Sequence, residues 1–409
     1  MKPGGKYTGC AIVAALVFCG AIWSIGRALA TTGADENPMK KAPGRWTAVD
    51  ISGFDLGAGA LKSVWGSSAR DVYVGGSEGL LLHYDGREWQ QMEAGATRQF
   101  AQIVGTSRDN VYILNVRSGR MSRKHLREKP PPQSPWMDYE PILVHLDKGK
   151  WVPMDIKGPD VGAWHDATGI WAASKSDVFV TTRDGEILHY DGEKWSRMFG
   201  SAPAIPSRRV GKNEPMPGSS IFRTATSVAD GIARGADSDR RPSPEGGGSN
   251  DKNTAGDSRS EIVRLYAIWG TSRENVYAVG IANGFRGVVL HYDGRLWTNE
   301  SIPQVGELRD IAGSSASNIY VGVHTLHYDG ATWTEIYDKN VGGAERAWVF
   351  GTSAVFGVGG YGCIYFFDGK EWKAMDSGTK NNLHAVWGSS PNDVWAVGDG
   401  GTILHYAGK

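Results

Sequence analysis

Short apolar runs separated by polar turns return along this chain in a fixed order. Residues 61–92 give LKSVWGSS (61–68), DVYVGG (71–76), LLLHYDG (80–86) and EWQQM (88–92). The first two runs are almost continuously apolar, the pattern of strands buried on both faces. Ser-Ser-x-x-Asp, Gly-rich and Asp-Gly stretches between the runs supply the side-chain oxygens and positive φ that tight turns use. The unit predicts four short antiparallel strands joined by hairpins.

The same order opens again at FAQIVGTS (100–107), TGIWAAS (168–174), LYAIWGTS (265–272), LRDIAGSS (308–315), RAWVFGTS (346–353) and LHAVWGSS (383–390). Uninterrupted units are spaced by about forty residues, the period of a four-stranded propeller blade. The fourth run carries Trp89, Trp151, Trp195, Trp297, Trp333 and Trp372 in units one to six. The last unit stops after its third run, while Trp46 stands alone in RWTAV (45–49) near the N-terminus. The expected fold is therefore an all-β, seven-bladed β-propeller over residues 45–409. Its last blade takes three strands from the C-terminal end and one from the N-terminal end. Closure of this kind hides sheet edges that would otherwise recruit other chains.

Two segments break the period. Residues 117–140 are basic and Pro-rich and fall between the second and third runs of unit two. Residues 199–260 are rich in Gly, Ser, Pro and paired Arg, the composition of a disordered segment, and fall between units three and four. In antiparallel blades the loops between strands two and three share a face with the blade-to-blade loops. Both insertions are therefore expected on one face, with only short turns on the other.

Residues 1–30 read as an export signal, with Lys2 and Lys6 ahead of an apolar run and Ala28-Leu29-Ala30 as a small-x-small cleavage site. The competing reading keeps residues 8–26 as a membrane anchor. Residues 31–44 then form a linker. Either way the bulk of the chain is expected to be exported, as a secreted, periplasmic or cell-surface protein.

Charge and chemistry narrow the reading further. Lys plus Arg (44) equals Asp plus Glu (44), which removes the global electrostatic case for a nucleic-acid partner. Cys10 and Cys19 lie in the N-terminal apolar run, so a cleaved chain keeps only Cys363 and no internal disulfide. The sequence holds no GxGxxG at a strand-to-helix turn, phosphate loop, GxSxG, HExxH or paired CxxC. The expectation is no cofactor, no metal site and no catalytic residue.

The repeated unit WGSS-x-x-DVYAVG-x-x-G-x-ILHYDG-x-x-W resembles secreted bacterial β-propeller repeat proteins, broadly of the photosystem-stability-factor-like and BNR-like kind. The resemblance covers about residues 45–409 without the insertions. It implies the fold and leaves function open, because propellers host enzymes, adhesins and scaffolds alike. Unit six departs most, with Ala354 where other units have Asp or Asn and Phe366 in place of His. The Ser-x-Asp-x-Gly-x-Thr-Trp boxes and catalytic arginine cluster of the sialidase branch are not visible.

His83, His145, His189, His291, His327 and His405 share one position on the third run. Equivalent positions around a ring point apart and do not converge on one ion, so these are expected to be structural histidines. The Asp-Gly turns (Asp85, Asp191, Asp293, Asp329, Asp368) each offer one carboxylate, too few for a calcium loop. Positions where the units differ are more informative. The residue after the first-run Leu or its equivalent is Lys62, Ala101, Thr168, Tyr266, Arg309, Ala347 and His384. First strands are innermost, so Lys62, Tyr266, Arg309 and His384, with neighbours Asp310, Glu345 and Arg346, are the candidates to rim the channel mouth.

The expected function is a monomeric, non-enzymatic binding or scaffold protein that recognises a protein or glycan through the mouth and the face carrying the insertions. One alternative is a polysaccharide hydrolase or lyase in which Arg309, His384, Glu345 and Tyr266 converge. Another is an assembly factor for a membrane complex, favoured if residues 1–30 stay as an anchor.

Overall fold

In a computed structural model of the chain, the residues described are 44–56, 59–96, 99–116, 143–156, 167–200, 263–283 and 285–408. They form seven four-stranded antiparallel sheets. The chain is a seven-bladed β-propeller. The expected export signal, most of the linker and the bulk of both insertions lie outside the described residues. The first insertion is flanked by strands Asn110–Val116 and Leu143–Asp147 of blade two. The second follows Trp195–Phe199, the outer strand of blade three, so Phe199 belongs to the ring and not to the insertion.

The core is divided among the blade-to-blade interfaces. Val72 and Val74 of blade one pack against Trp387, Trp395 and Val397 of blade seven. Tyr73 and Leu81, on the other face of the same sheet, pack against Phe100, Ile103 and Val111 of blade two. Alternate residues of one strand thus feed two different interfaces, which is why both parities must be apolar. Comparable clusters fill the remaining interfaces around the ring.

Closure follows the expected scheme. Strand Arg45–Ala48 pairs antiparallel with Ile403–Ala407, with Trp46 opposite Tyr406. The Gly44 N–H donates to the Tyr406 hydroxyl at 2.9 Å. Trp46 is 5% exposed and contacts Tyr406 and, edge-on, Phe356 of blade six. The fourth-strand indoles of other blades also reach the preceding blade, as Trp151 does to Tyr73 and Trp333 to Tyr277.

A second regularity explains the Trp-Gly pair of the repeat. The ring of Trp65 lies over Gly105 of the next blade, where an added Cβ would meet it at 2.6 Å. Trp171 covers Gly270, Trp269 covers Gly313, Phe350 covers Gly388 and Trp387 covers Gly66. At the two remaining interfaces both partners change together. Val104 of blade two faces Ala172 of blade three, and Ala312 of blade five faces Val349 of blade six. A smaller knob meets a fuller surface, which conserves volume at close packing.

Blade six differs from the register its sequence suggests. Aligning RAWVFGTS with the other first strands makes Ala347 the counterpart of Lys62. The strands instead pair Ala344 with Gly359 and Arg346 with Val358, which makes Glu345 that counterpart. Gly351 is then a turn residue at φ 53°, a conformation that glycine adopts without strain.

Trp46→Ala should lower the unfolding free energy by about 3–5 kcal/mol, as for a core aromatic. A loss near zero in denaturant unfolding would mean that the N-terminal strand merely decorates the ring. Gly105→Ala should cost about 1–3 kcal/mol by overpacking. Combined with Trp65→Val, which copies the blade two–three interface, it should cost less than the sum of the single changes. Additive losses in a double-mutant cycle would refute the pairing.

Candidate functional site

The six third-strand histidines are bound within their own blades. His83 Nε2 lies 2.8 Å from Asp71, His189 3.3 Å from Asp177 and His405 2.6 Å from Asp393. His145, His291 and His327 reach the side-chain oxygens of Asn110, Asn275 and Asn318 at 2.8, 2.8 and 2.9 Å. These oxygens only accept, so Nε2 carries the proton. The same Asp or Asn is bonded to the turn Ser or Thr, for example Ser67, Ser389, Thr106 and Thr271. Each imidazole also lies against the aromatic ring opposite it on the second strand, as His145 does on Tyr112 at 4.2 Å.

This arrangement is not a hydrolytic triad, because serine and histidine both bond the carboxylate and not each other. It also explains the departure in blade six. Ala354 and Phe366 occupy the Asp and His positions and pack in one apolar cluster. Replacing both partners by apolar groups avoids the cost of leaving one unpaired. The Asp-Gly carboxylates are likewise spent locally, Asp85 accepting the N–H groups of Arg87 and Glu88.

The positions that vary between blades have a common backbone origin. Near the start of the first strand the ladder skips Lys62, Ala101, Thr168, Tyr266, Glu345 and His384 in their respective blades. A β-bulge leaves its extra residue unpaired and re-aims the side chain. In blade five the paired strand starts at Ile311, and Arg309 precedes it. These residues lie at the inner end of the face from which both insertions leave.

The structure gathers the candidates into two groups. At the seam of blades seven and one, His384 Nε2 lies 2.6 Å from Asp399 Oδ1 and 2.8 Å from Lys62 Nζ. One ring nitrogen cannot donate to the carboxylate and accept from the ammonium at once, so the two compete. Burial pushes the Asp399 carboxyl up, but His384, Asn382 and Lys62 outweigh it and hold it below its ordinary range.

In the second group, Arg309 donates from Nε and Nη2 to Glu307 Oε2 at 2.8 and 2.6 Å. Its guanidinium sits 5.8 Å from the Tyr266 ring centroid. The hydrogen bond from Tyr266 and the bond and charge of Arg309 hold the Glu307 carboxyl low. Burial and Glu307 push the Tyr266 phenol up. The charges of Arg264 and Glu345 also bear on this group.

Asp310 is a strut between blades. It accepts the Ala347 N–H of blade six at 2.8 Å, and burial pushes its carboxyl up against the charge of Arg346. Ser63, Gln102 and Thr168 make similar inter-blade bonds, to Phe100 O, Ile170 N and Leu265 O. Arg346 donates to the Glu345 carbonyl at 3.1 Å.

Sequence reasoning missed Asp399 and Glu307. Asp399 sits in a Gly-rich turn that looked like hairpin chemistry alone. Glu307 immediately precedes its run, and its place two residues before Arg309 was the available signal. Two surface concavities, of about 460 and 420 Å3, include none of the candidates. Among the described residues no group of three His, Cys, Asp or Glu side chains could hold a metal ion.

The sequence matches no protein-family model and no curated protein. Solved structures do match in fold. YCF48 from Cyanidioschyzon merolae is 14% identical with a TM-score of 0.56, covering 89% of this chain and 98% of that one. A structure described as YCF48 bound to D1 peptide is 13% identical with a TM-score of 0.54, covering 91% and 99%. The Pan2 WD40 domain of Neurospora crassa is 11% identical with a TM-score of 0.52, covering 91% and 98%. At these identities the likeness is one of fold.

Burial holds His145, His189 and His327 below the ordinary imidazole value of 6.5. The unfolded chain therefore binds more protons just below that pH, and stability should fall as pH drops through and below 6.5. Asn110→Ala alone should cost about 1–3 kcal/mol by stranding His145. Adding His145→Phe, as in blade six, should recover part of that loss and shallow the acid slope. Denaturant unfolding between neutral and mildly acidic pH decides it, and an unrecovered double variant would refute the pairing.

Proposed function

We propose that this chain is an exported, non-enzymatic binding scaffold that recognises a protein partner through the channel-mouth face of the propeller. The observation that carries the reading is the division of the mouth residues into two separately partnered groups. A hydrolase built on Arg309, His384, Glu345 and Tyr266 would need them to converge. His384 is instead held with Lys62 and Asp399, while Tyr266 and Arg309 gather on Glu307. Such groups present fixed charge and aromatic surface, the material of a recognition site.

Two further considerations support a protein partner over a glycan. A propeller of similar fold has been determined with a peptide bound. The mouth face also presents exposed Phe285, Tyr337 and Tyr361 on loops that share the end of the bulges. Export rests on the character of residues 1–30, which have the charge and apolar pattern of a signal.

Capture of one defined partner should weaken at least tenfold in a Tyr266→Ala, Arg309→Ala variant and be unchanged in Leu296→Ala on the opposite face. Quantitative pull-down from an envelope fraction, followed by binding measurements on the captured protein, tests this. Loss on the Leu296 side with an intact mouth would overturn the assignment of the face.

A further inference from the structure

We propose that His384, wedged between Asp399 and Lys62 at the seam of blades seven and one, is a proton switch. Its neutral ring holds the Lys62 ammonium, and its protonated ring releases that ammonium into the channel mouth. The switch is built from this chain's own groups and does not depend on what the mouth binds.

The third-strand histidines set the contrast. Each presents Nε2 to one side-chain oxygen of the second strand, as His83 does to Asp71 and His145 to Asn110. His384 Nε2 instead meets an acceptor and a donor together, Asp399 Oδ1 at 2.6 Å and Lys62 Nζ at 2.8 Å. A ring nitrogen either carries a proton and donates, or keeps its lone pair and accepts. A neutral ring with its proton on Nδ1 takes the hydrogen bond from Lys62. The imidazolium donates to Asp399, and its charge repels the ammonium beside it. Protonation therefore exchanges one contact for the other.

How each partner is held decides which one yields. Asp399 opens the turn Asp399–Gly401, and its N–H donates to the Asn382 carbonyl at 2.9 Å. Its Oδ2 accepts from Asn382 Nδ2 at 3.0 Å, and its carbonyl accepts from the Thr402 hydroxyl at 2.7 Å. His384 is aimed by the β-bulge between Leu383 and Ala385. Lys62 hangs on a flexible stem. Among the described residues, Asp399 at 3.6 Å is the only carboxylate within ion-pair distance of it. Once the imidazolium claims Asp399, Lys62 is the group free to move. The seam then carries one more positive charge and a mobile ammonium.

Other charged groups on the neighbouring elements do not offer a substitute. Glu345 and Arg346 open the blade-six first strand Ala344–Phe350 and carry opposite charges. Glu78, in the Ser77–Gly79 turn of blade one, is exposed. Asp393 starts the strand Asp393–Gly398 at its far end and is engaged by His405. The side chains of His384 and Lys62 are 26% and 24% exposed, so protons reach the ring from solvent.

The test is NMR on the full chain with isotope-labelled histidine and lysine, from about pH 8 to 5, the range in which imidazole titrates. His384→Gln and Lys62→Met assign the two signals. At the alkaline end His384 should carry its proton on Nδ1, with the Lys62 Cε ordered by relaxation. At the acid end both ring nitrogens should be protonated and Lys62 mobile, with one shared midpoint. Lys62→Met should move the protonation of the ring to higher pH, and Asp399→Asn to lower pH, each by about half a unit or more. A neutral ring already protonated on Nε2, or a Lys62 equally ordered across the transition, would overturn the switch. So would a His384 midpoint indifferent to Lys62→Met.

Discussion

The burial of both faces of every sheet is the constraint on which the structure depends. A four-stranded blade with apolar side chains on both sides cannot stand alone, and each neighbour repeats the problem until the ring closes. Strand Arg45–Ala48 removes the last exposed edge by pairing with Ile403–Ala407. Without it, Tyr406 and Phe356 would lose the indole that covers them.

That closed ring supplies a rigid frame on which variation is cheap. The β-bulge near the start of the first strand in six of the seven blades frees one residue in each from ladder duty, so its identity is not dictated by packing. Ala101 fills one such position and Thr168 ties its blade to the next through Leu265 O. Lys62, Tyr266, Glu345 and His384 fill others with charge and aromatic surface. The repeating residues build the wall, and the residues that break the repeat face the mouth. The acidic turn residues follow the same division, since those of the opposite face are consumed by backbone N–H groups.

Much of this is legible in the residues because a repeat reports its own geometry. Trp46 and the truncated last unit together implied the closure that pairs Trp46 with Tyr406. The shared position of six histidines implied a structural role, and their bonds to Asp or Asn of the second strand supply it. The twin departures Ala354 and Phe366 were visible as oddities, but only contact shows that each permits the other. The Trp-on-Gly contacts were hidden for the same reason. Trp65 and Gly105 lie in different units, and no periodicity states which residues of two units meet.

The sequence by itself determined the strand count, the blade number and the seam, because short apolar runs and turn chemistry are local and recur seven times. Tertiary structure decided which residues share a site. Blade six shows the difference most plainly. Its Gly-Thr-Ser matched the end of other first strands, but pairing of Ala344 with Gly359 moves that tripeptide into the turn and brings Glu345 to the mouth. Strand register is fixed by hydrogen bonds to the second strand and by the packing of Trp348 and Val349 on neighbouring blades, not by a turn motif. The partnership of Lys62 and His384, from opposite ends of the chain, likewise exists only because the ring closes.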